Sequence, residues 1–219
     1  MMNLYKVLLM TALGFAVVLG MTLGDVHQAE ASEAIVQQGD RGGVVWDVQH
    51  RLQQLGLYQL NMDGIFGAQT RQAVAQFQRQ YGLPVTGSVD LKTLRTLRAN
   101  TFTVDEIEMM AKLVYGEARG ESFEGQVAVA AVVLNRLKSP KFPNTVKEVI
   151  FEPRAFTAVA DGQYYQRPNR DAYRAVYYAI RGWDPSEGAL YYFNPDTATS
   201  GWIWSRPQIK RIGNHIFAR

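Results

Sequence analysis

Between Gly39 and Leu97 the chain twice builds an apolar helical stripe and ends it the same way, at Leu55-Gly56-Leu57 and at Tyr81-Gly82-Leu83. The first stripe is Val44, Val48, Leu52 and Leu55, spaced at threes and fours so that one helix face carries them all. The second is Ala73, Val74, Phe77 and Tyr81. A glycine directly after the stripe is the expected C-terminal stop. Between the two helices, Asp63-Gly64-Ile65-Phe66-Gly67 reads as a turn in which glycine takes backbone angles that other residues avoid. Asp90 is placed to cap a short third helix with Leu91, Leu94 and Leu97. Three short helices around a few leucines and aromatics leave little room for a catalytic cavity.

Residues 98–102 read as a linker, and a second region runs from residue 103 to 219. Thr103 with Glu106 forms a capping box, and Ile107, Met110, Ala111 and Val114 continue the helix on one face. Val127 to Leu134 is an unbroken apolar run, too short to span a membrane and expected as a helix buried on nearly all sides. Thr145 with Glu148 gives a second capping box. A longer helix is expected from about Asp171 to Arg181, closed by Gly182. The tail changes character: Ala189 to Phe193, Trp202 to Ser205 and Ile209 to Phe217 are aromatic and β-branched, as strands are. Gly213-Asn214 fits a two-residue hairpin turn. Helices first and short strands last predict an α+β, mainly helical domain.

Ahead of both regions, Lys6, an apolar stretch from Val7 to Leu23 and Ala29-Glu30-Ala31 read as an export signal over residues 1–31. The alternative is an uncleaved membrane anchor; with cleavage, no stable span is left. The chain has no cysteine, so an exported fold must rest on its cores alone, and cysteine-nucleophile chemistry is excluded. A net charge of +3 suits an anionic wall or membrane surface. The basic residues are scattered and no nucleic-acid motif is present, so nucleic acid is set aside as a partner.

Elimination narrows the chemistry. Past the signal, the histidines are His50 and His215, one in each region, where a zinc peptidase needs two or three together. No serine sits in a nucleophile elbow, and His215 in a hairpin reads as structural. Carboxylates are left, and they alone can cleave a glycosidic bond if one stays protonated to serve the leaving oxygen. Glu117 follows the predicted helix at its partly negative end, which disfavours its ionised form. Gly116 and Gly120 would let a sugar approach the backbone, Tyr115 would supply an apolar wall, and Glu121 adds negative charge. Arg119 would oppose this if it folded back onto either acid. On the residues alone, a solvated surface pair of glutamates stays open beside the catalytic reading. Sugar faces stack on aromatics, so Phe156, Tyr191, Tyr192, Phe193 and Trp202 are candidate contacts. Tyr191 and Phe193 should share one strand face and Tyr192 the other. Thr157, Asp161 and Asn194 are candidate polar contacts, with core hydrogen bonding as the alternative. No cofactor and no metal are assigned; metal assistance is left open.

Residues 39–97 resemble the small three-helix peptidoglycan-binding domain found beside many wall hydrolases, through Val48-Gln49, Leu55-Gly56, Asp63-Gly64, Phe66-Gly67, Ala73-Val74, Phe77-Gln78 and Gly82-Leu83. Residues 103–219 resemble the catalytic domain of spore cortex-lytic enzymes of the SleB type. The shared motifs are Gly116-Glu117-Ala118-Arg119-Gly120-Glu121, Gly125-Gln126-Val127-Ala128-Val129-Ala130, Asn135-Arg136, Phe142-Pro143-Asn144-Thr145-Val146, Phe156 to Gly162, Gly188 to Pro195, and Trp202. The resemblance implies a lysozyme-related fold and a lytic transglycosylase acting on muramic-lactam-rich cortex during germination, with Glu117 as the acid/base. It implies peptidoglycan as the partner and a place outside the inner spore membrane. It leaves room for a germination accessory protein, which no residue here names. The alternatives are a muramidase-type hydrolase of vegetative wall and an inactive wall-binding protein.

Overall fold

A computed structural model describes residues 33–219. The expected export signal lies outside them. The first core is built by β1 (Ala34–Val36), α1 (Gly43–Gln54), α2 (Ala68–Gln80), β2 (Val89–Asp90) and α3 (Leu91–Ala99). β1 and β2 pair antiparallel, and Asp90 caps α3 by accepting from Thr93 N at 2.6 Å. Both glycine stops form as expected. Gly56 and Gly82 are left-handed, at φ +75° and +64°. Leu57 N then reaches back to Leu52 O at 2.9 Å, and Leu83 N to Gln78 O at 2.8 Å. These six-to-one bonds satisfy carbonyls that the helix end leaves free.

The internal echo goes deeper than the stops. Each of the first two helices buries a glutamine that organises the glycine turn after it. Gln49 accepts from Gly64 N at 2.9 Å and donates to Ile65 O at 3.0 Å. Gln78 accepts from Gly87 N at 2.9 Å and donates to Ser88 O at 2.8 Å. Each amide also reaches a threonine of the next helix, Thr70 or Thr93. A buried amide without partners would cost roughly 1–3 kcal/mol, which is why both are saturated. Three stripe residues lie outside the core: Val44, Tyr81 at the end of α2 and Leu91 at the start of α3 are exposed. Val44 is 48 % exposed and Val45 takes the core position, three residues before Val48 on the same helix face.

The second part contains α4 (Val104–Ala118), α5 (Phe123–Lys138), α6 (Val146–Phe151), α7 (Thr157–Ala160), a 3-10 turn at Gln163–Tyr165 and α8 (Arg170–Ile180). It ends in β3 (Tyr191–Phe193), α9 (Gly201–Trp204), β4 (Gln208–Ile212) and β5 (His215–Ala218). Thr103 and Glu106 complete their capping box. Every residue of α5 from Gly125 to Leu134 is buried. Val129 and Val133 belong to the core shared with α4 and α8, whereas Ala128 and Val132 pack on Ile212 and Phe217 of the sheet. A helix between helices and a sheet has no face left for water, hence the unbroken apolar run. The three strands are antiparallel in the order β3-β5-β4, with Gly213-Asn214 turning β4 into β5. The α+β architecture is as expected, with one correction. Trp202 to Ser205 is not strand: it holds the one-turn helix α9 and its cap. The Trp204 indole N–H donates to Ala198 O at 3.1 Å, folding that segment on itself.

Candidate active site

Glu117 lies within the last turn of α4, not after it. Gly116 sets up its surroundings. A Cβ there would stand 2.7 Å from Ala158 Cβ and 3.3 Å from the backbone of Gln163 and Tyr164. Gly116 thus serves close packing of α7 on α4, and it also lines the cleft at Glu117. That packing brings Ala158 N–H to Glu117 Oε1 at 2.5 Å.

Glu117 as a residue is half-buried, but its carboxyl is the enclosed part, and that burial pushes its pKa above the ordinary range. The Ala158 N–H and the neighbouring Tyr192 hydroxyl pull it down, Asp161 raises it, and Arg136 lowers it. Burial prevails, so the proton is held to higher pH than on an exposed carboxyl. Tyr192 OH is itself buried and completes no well-formed hydrogen bond.

Glu117 opens into a cleft of about 510 Å³, a size suited to a small ligand. Thr157, Asp161 and Gln163 line one side, Tyr192, Phe193 and Asn194 another, with the loop Thr197 to Ser200 and His215 completing it. A larger depression of about 670 Å³ at Leu137 to Asn144 includes one carboxyl, Glu148, and that one is engaged by Thr145. Chemistry rather than size therefore selects the cleft at Glu117. Asp161 is pushed the opposite way from Glu117: N–H donors from the Gln163 backbone at 3.0 Å and side chain at 2.6 Å hold it below the ordinary carboxylate range. His215 is kept below the ordinary imidazole value by burial, with Glu121 opposing, and is neutral at pH 7.

Among the described residues, four buried polar atoms have no hydrogen-bond partner: Arg136 Nη1, Tyr192 OH, Arg206 Nε and His215 Nδ1. Folded proteins leave few such atoms, and each needs a reason. Tyr192 and His215 line the cleft, so two of the four lie where a polar ligand would enter, and the charge of Arg136 reaches Glu117.

Of the residues singled out in the sequence, Glu117, Thr157, Asp161, Tyr192, Phe193 and Asn194 meet at this cleft. Phe156 and Tyr191 do not line it; they pack around the Arg136 guanidinium, at 4.6 and 5.7 Å. The strand alternation holds in the ring contacts: Tyr191 and Phe193 pack on Trp202 and Trp204 of α9 at 5.2 and 4.9 Å, whereas Tyr192 packs on Phe156, His215 and Phe217, and Phe193 borders the cleft as well from the end of β3. Trp202 stands on α9, exposed, edge-on to Tyr191 at 5.2 Å. Glu121 is engaged elsewhere: its carboxylate accepts from Asn214 N at 3.1 Å and Asn214 Nδ2 at 2.9 Å, tying α4's end to the β4–β5 turn. Arg119 does not fold onto Glu117 but lies 5.6 Å over the Tyr115 ring. His215, read as structural, lines the cleft, and Arg136 had been assigned no role. A lone imidazole in a hairpin and one arginine near a helix end carry no spacing signal. Among the described residues no group of three or more His, Asp or Glu side chains could hold a metal ion, and no helix is long and apolar enough to cross a membrane.

A putative peptidoglycan-binding domain model matches residues 41–97, and a cell wall hydrolase model matches residues 120–218. A buried acid in an open cleft, behind such a binding module, defines an enzyme that acts on peptidoglycan. A spore cortex-lytic enzyme of Bacillus cereus strain ATCC 14579 is 47% identical over 86% of this chain and 87% of its own. One from Bacillus subtilis strain 168 is 42% identical over 85% and 90%. The solved catalytic domain of the germination-specific lytic transglycosylase SleB from Bacillus anthracis is 68% identical, covering 54% of this chain and 97% of its own, with a TM-score of 0.52. The chain belongs to the spore cortex-lytic enzyme family.

Proposed function

We propose that this chain cuts the glycan strands of spore cortex peptidoglycan during germination, as a lytic transglycosylase. Residues 39–97 hold the wall and residues 103–219 cut it. The observation that carries this is the enclosed carboxyl of Glu117 at the cleft, whose pKa burial raises. Glu117 gives its proton to the glycosidic oxygen as the bond to the muramyl C1 breaks, leaving an oxocarbenium-like centre. The sugar's own C6 oxygen then bonds to C1, and its proton returns to Glu117. One carboxyl serves as acid and then as base, no water enters, and a 1,6-anhydro ring closes. Thr157, Asn194 and the Tyr192 hydroxyl are the polar contacts for the sugar, with Phe193 as apolar wall. Export through residues 1–31 would deliver the enzyme outside the inner spore membrane. A germination accessory protein would set the timing of the cut.

A second reading has one observation in its favour. Glu117 and Asp161 line the same cleft and are pushed in opposite directions, as an acid and a base for hydrolysis would be. Water activated by Asp161 would then leave a reducing muramic end.

Glu117→Gln tests the shared premise. The neutral isostere is expected to lose cleavage by on the order of 10²-fold to 10⁴-fold or more, with helical content and cortex binding retained. Fragment release at the normal rate would remove Glu117 from the chemistry and favour a different acid.

A further inference from the structure

The proton cycle leaves a charge to be managed. Once Glu117 has given up its proton, a carboxylate stands in a buried site, and a buried charge without compensation is costly. The described residues contain one cation placed to meet it. Arg136, near the end of α5, is 4 % exposed, yet it takes part in no salt bridge among the described residues. Its Nε donates to Leu190 O at 2.8 Å, and its Nη1 has no partner. The guanidinium lies 4.6 Å from the ring centre of Phe156, 5.0 Å from Phe142 and 5.7 Å from Tyr191. An apolar side chain of similar size would fill this box without burying a charge. The box itself is connected to the acid. Phe156 leads into α7, whose Ala158 N–H holds Glu117 Oε1. Tyr191 precedes Tyr192, whose hydroxyl neighbours the same carboxyl.

We propose that Arg136 is the positioning residue of the reaction: its buried guanidinium holds the two segments flanking Glu117 and offsets the charge left on that carboxyl after proton transfer. The inference rests on Glu117 being the acid. Arg136 acts through space and through Phe156 and Tyr191, and makes no salt bridge with Glu117 among the described residues, so burial still sets the direction of the Glu117 shift. The groups facing Glu117 are Arg136 on α5, Asp161 after α7 and Tyr192 on β3, with His215 of β5 lining the same cleft. Arg136 in turn faces Tyr192, Glu152 after α6, and Tyr191. Arg136 favours the ionised carboxyl, so its removal raises the Glu117 pKa further.

The test is the pH profile of fragment release from cortex by the full chain carrying Arg136→Met or Arg136→Lys. Arg136→Met is expected to lose on the order of tenfold or more in rate at the optimum. Its alkaline limb, set by loss of the acid's proton, should move to higher pH. Arg136→Lys keeps the charge and loses the planar stacking, so its rate should fall while the limb stays close to that of the unsubstituted chain. If Arg136→Met does not fold, Arg136→Gln, which keeps a donor for Leu190 O, carries the same prediction. A neutral variant with an unmoved limb would reduce Arg136 to packing and overturn the inference. Glu117→Gln run alongside separates the two claims: activity in that variant removes the acid itself, whereas its inactivity with an unmoved limb removes Arg136 alone.

Discussion

At Glu117 the requirements of chemistry and of stability oppose each other. Burial holds its proton more tightly in the folded chain than in the unfolded one. A group raised in this way stabilises the fold fully below its unfolded pKa and loses that contribution as pH rises through the folded value. Glu117→Gln has no charge to bury. It is predicted to melt above the unsubstituted chain at pH 8, with the gap closing by pH 4 to the small constant difference between two neutral side chains; equal gaps at both pH values would contradict a raised Glu117. His50 and His215 run the other way. Both are lowered by burial, so their contribution is present above the ordinary histidine value and is lost in acid, but they are common to both proteins and cancel. Glu117 was legible in the sequence by residue type and by its nearness to a helix end. The larger cause of its shift was not, because the burial comes from α7 and β3, distant in the chain. The roles of His215 and of Arg136, which the sequence marks only as part of the Asn135-Arg136 motif, were hidden for the same reason: what distinguishes them is the company that folding brings.

Among the elements, the contact between α4 and α7 sets the site. Gly116→Ala would drive a methyl group into Ala158 at 2.7 Å. Overpacking of this kind costs about 1–3 kcal/mol, and here it also pushes the Ala158 N–H away from Glu117. A lowered melting temperature together with lost cleavage is expected from calorimetry and fragment release. A variant of full stability and activity would show that α7 can shift without consequence. The elements with local causes were readable: glycine stops at Gly56, Gly82 and Gly182, caps at Asp90, Thr103 and Thr145, and the hairpin at Gly213-Asn214. Helix α9 was not. Its aromatic content suggested strand, and β propensity is weaker than context. The Trp204 indole reaching Ala198 and the Phe193 ring packing on Trp204 at 4.9 Å are tertiary contacts that composition does not encode.

At the scale of the whole molecule, residues 33–219 form one compact unit in which the binding and cutting regions are docked on each other. Arg181 donates to Gln54 O at 2.9 Å and Gln53 O at 2.8 Å, at the carbonyl end of α1. Gln54 is paired both ways with the Phe102 backbone, at 2.7 and 2.8 Å, which fixes the intervening chain. Hydrogen bonds from a charged donor contribute about 1.5–3 kcal/mol each. Arg181→Ala is therefore predicted to split thermal unfolding into two calorimetric transitions; one unchanged transition would mean that the docking rests on other contacts. None of these contacts has a local sequence signature, and residues 98–102 read simply as a linker. A docked binding region would feed a glycan strand to a fixed cleft, and the nature of the cut made there is the centre of the account. The most direct measurement is mass spectrometry of the fragments released from purified spore cortex by the purified chain. The account predicts ends closed as 1,6-anhydromuramic acid, with Glu117 acting as acid and then base. Reducing muramic ends would contradict it and assign the water-activating role to Asp161.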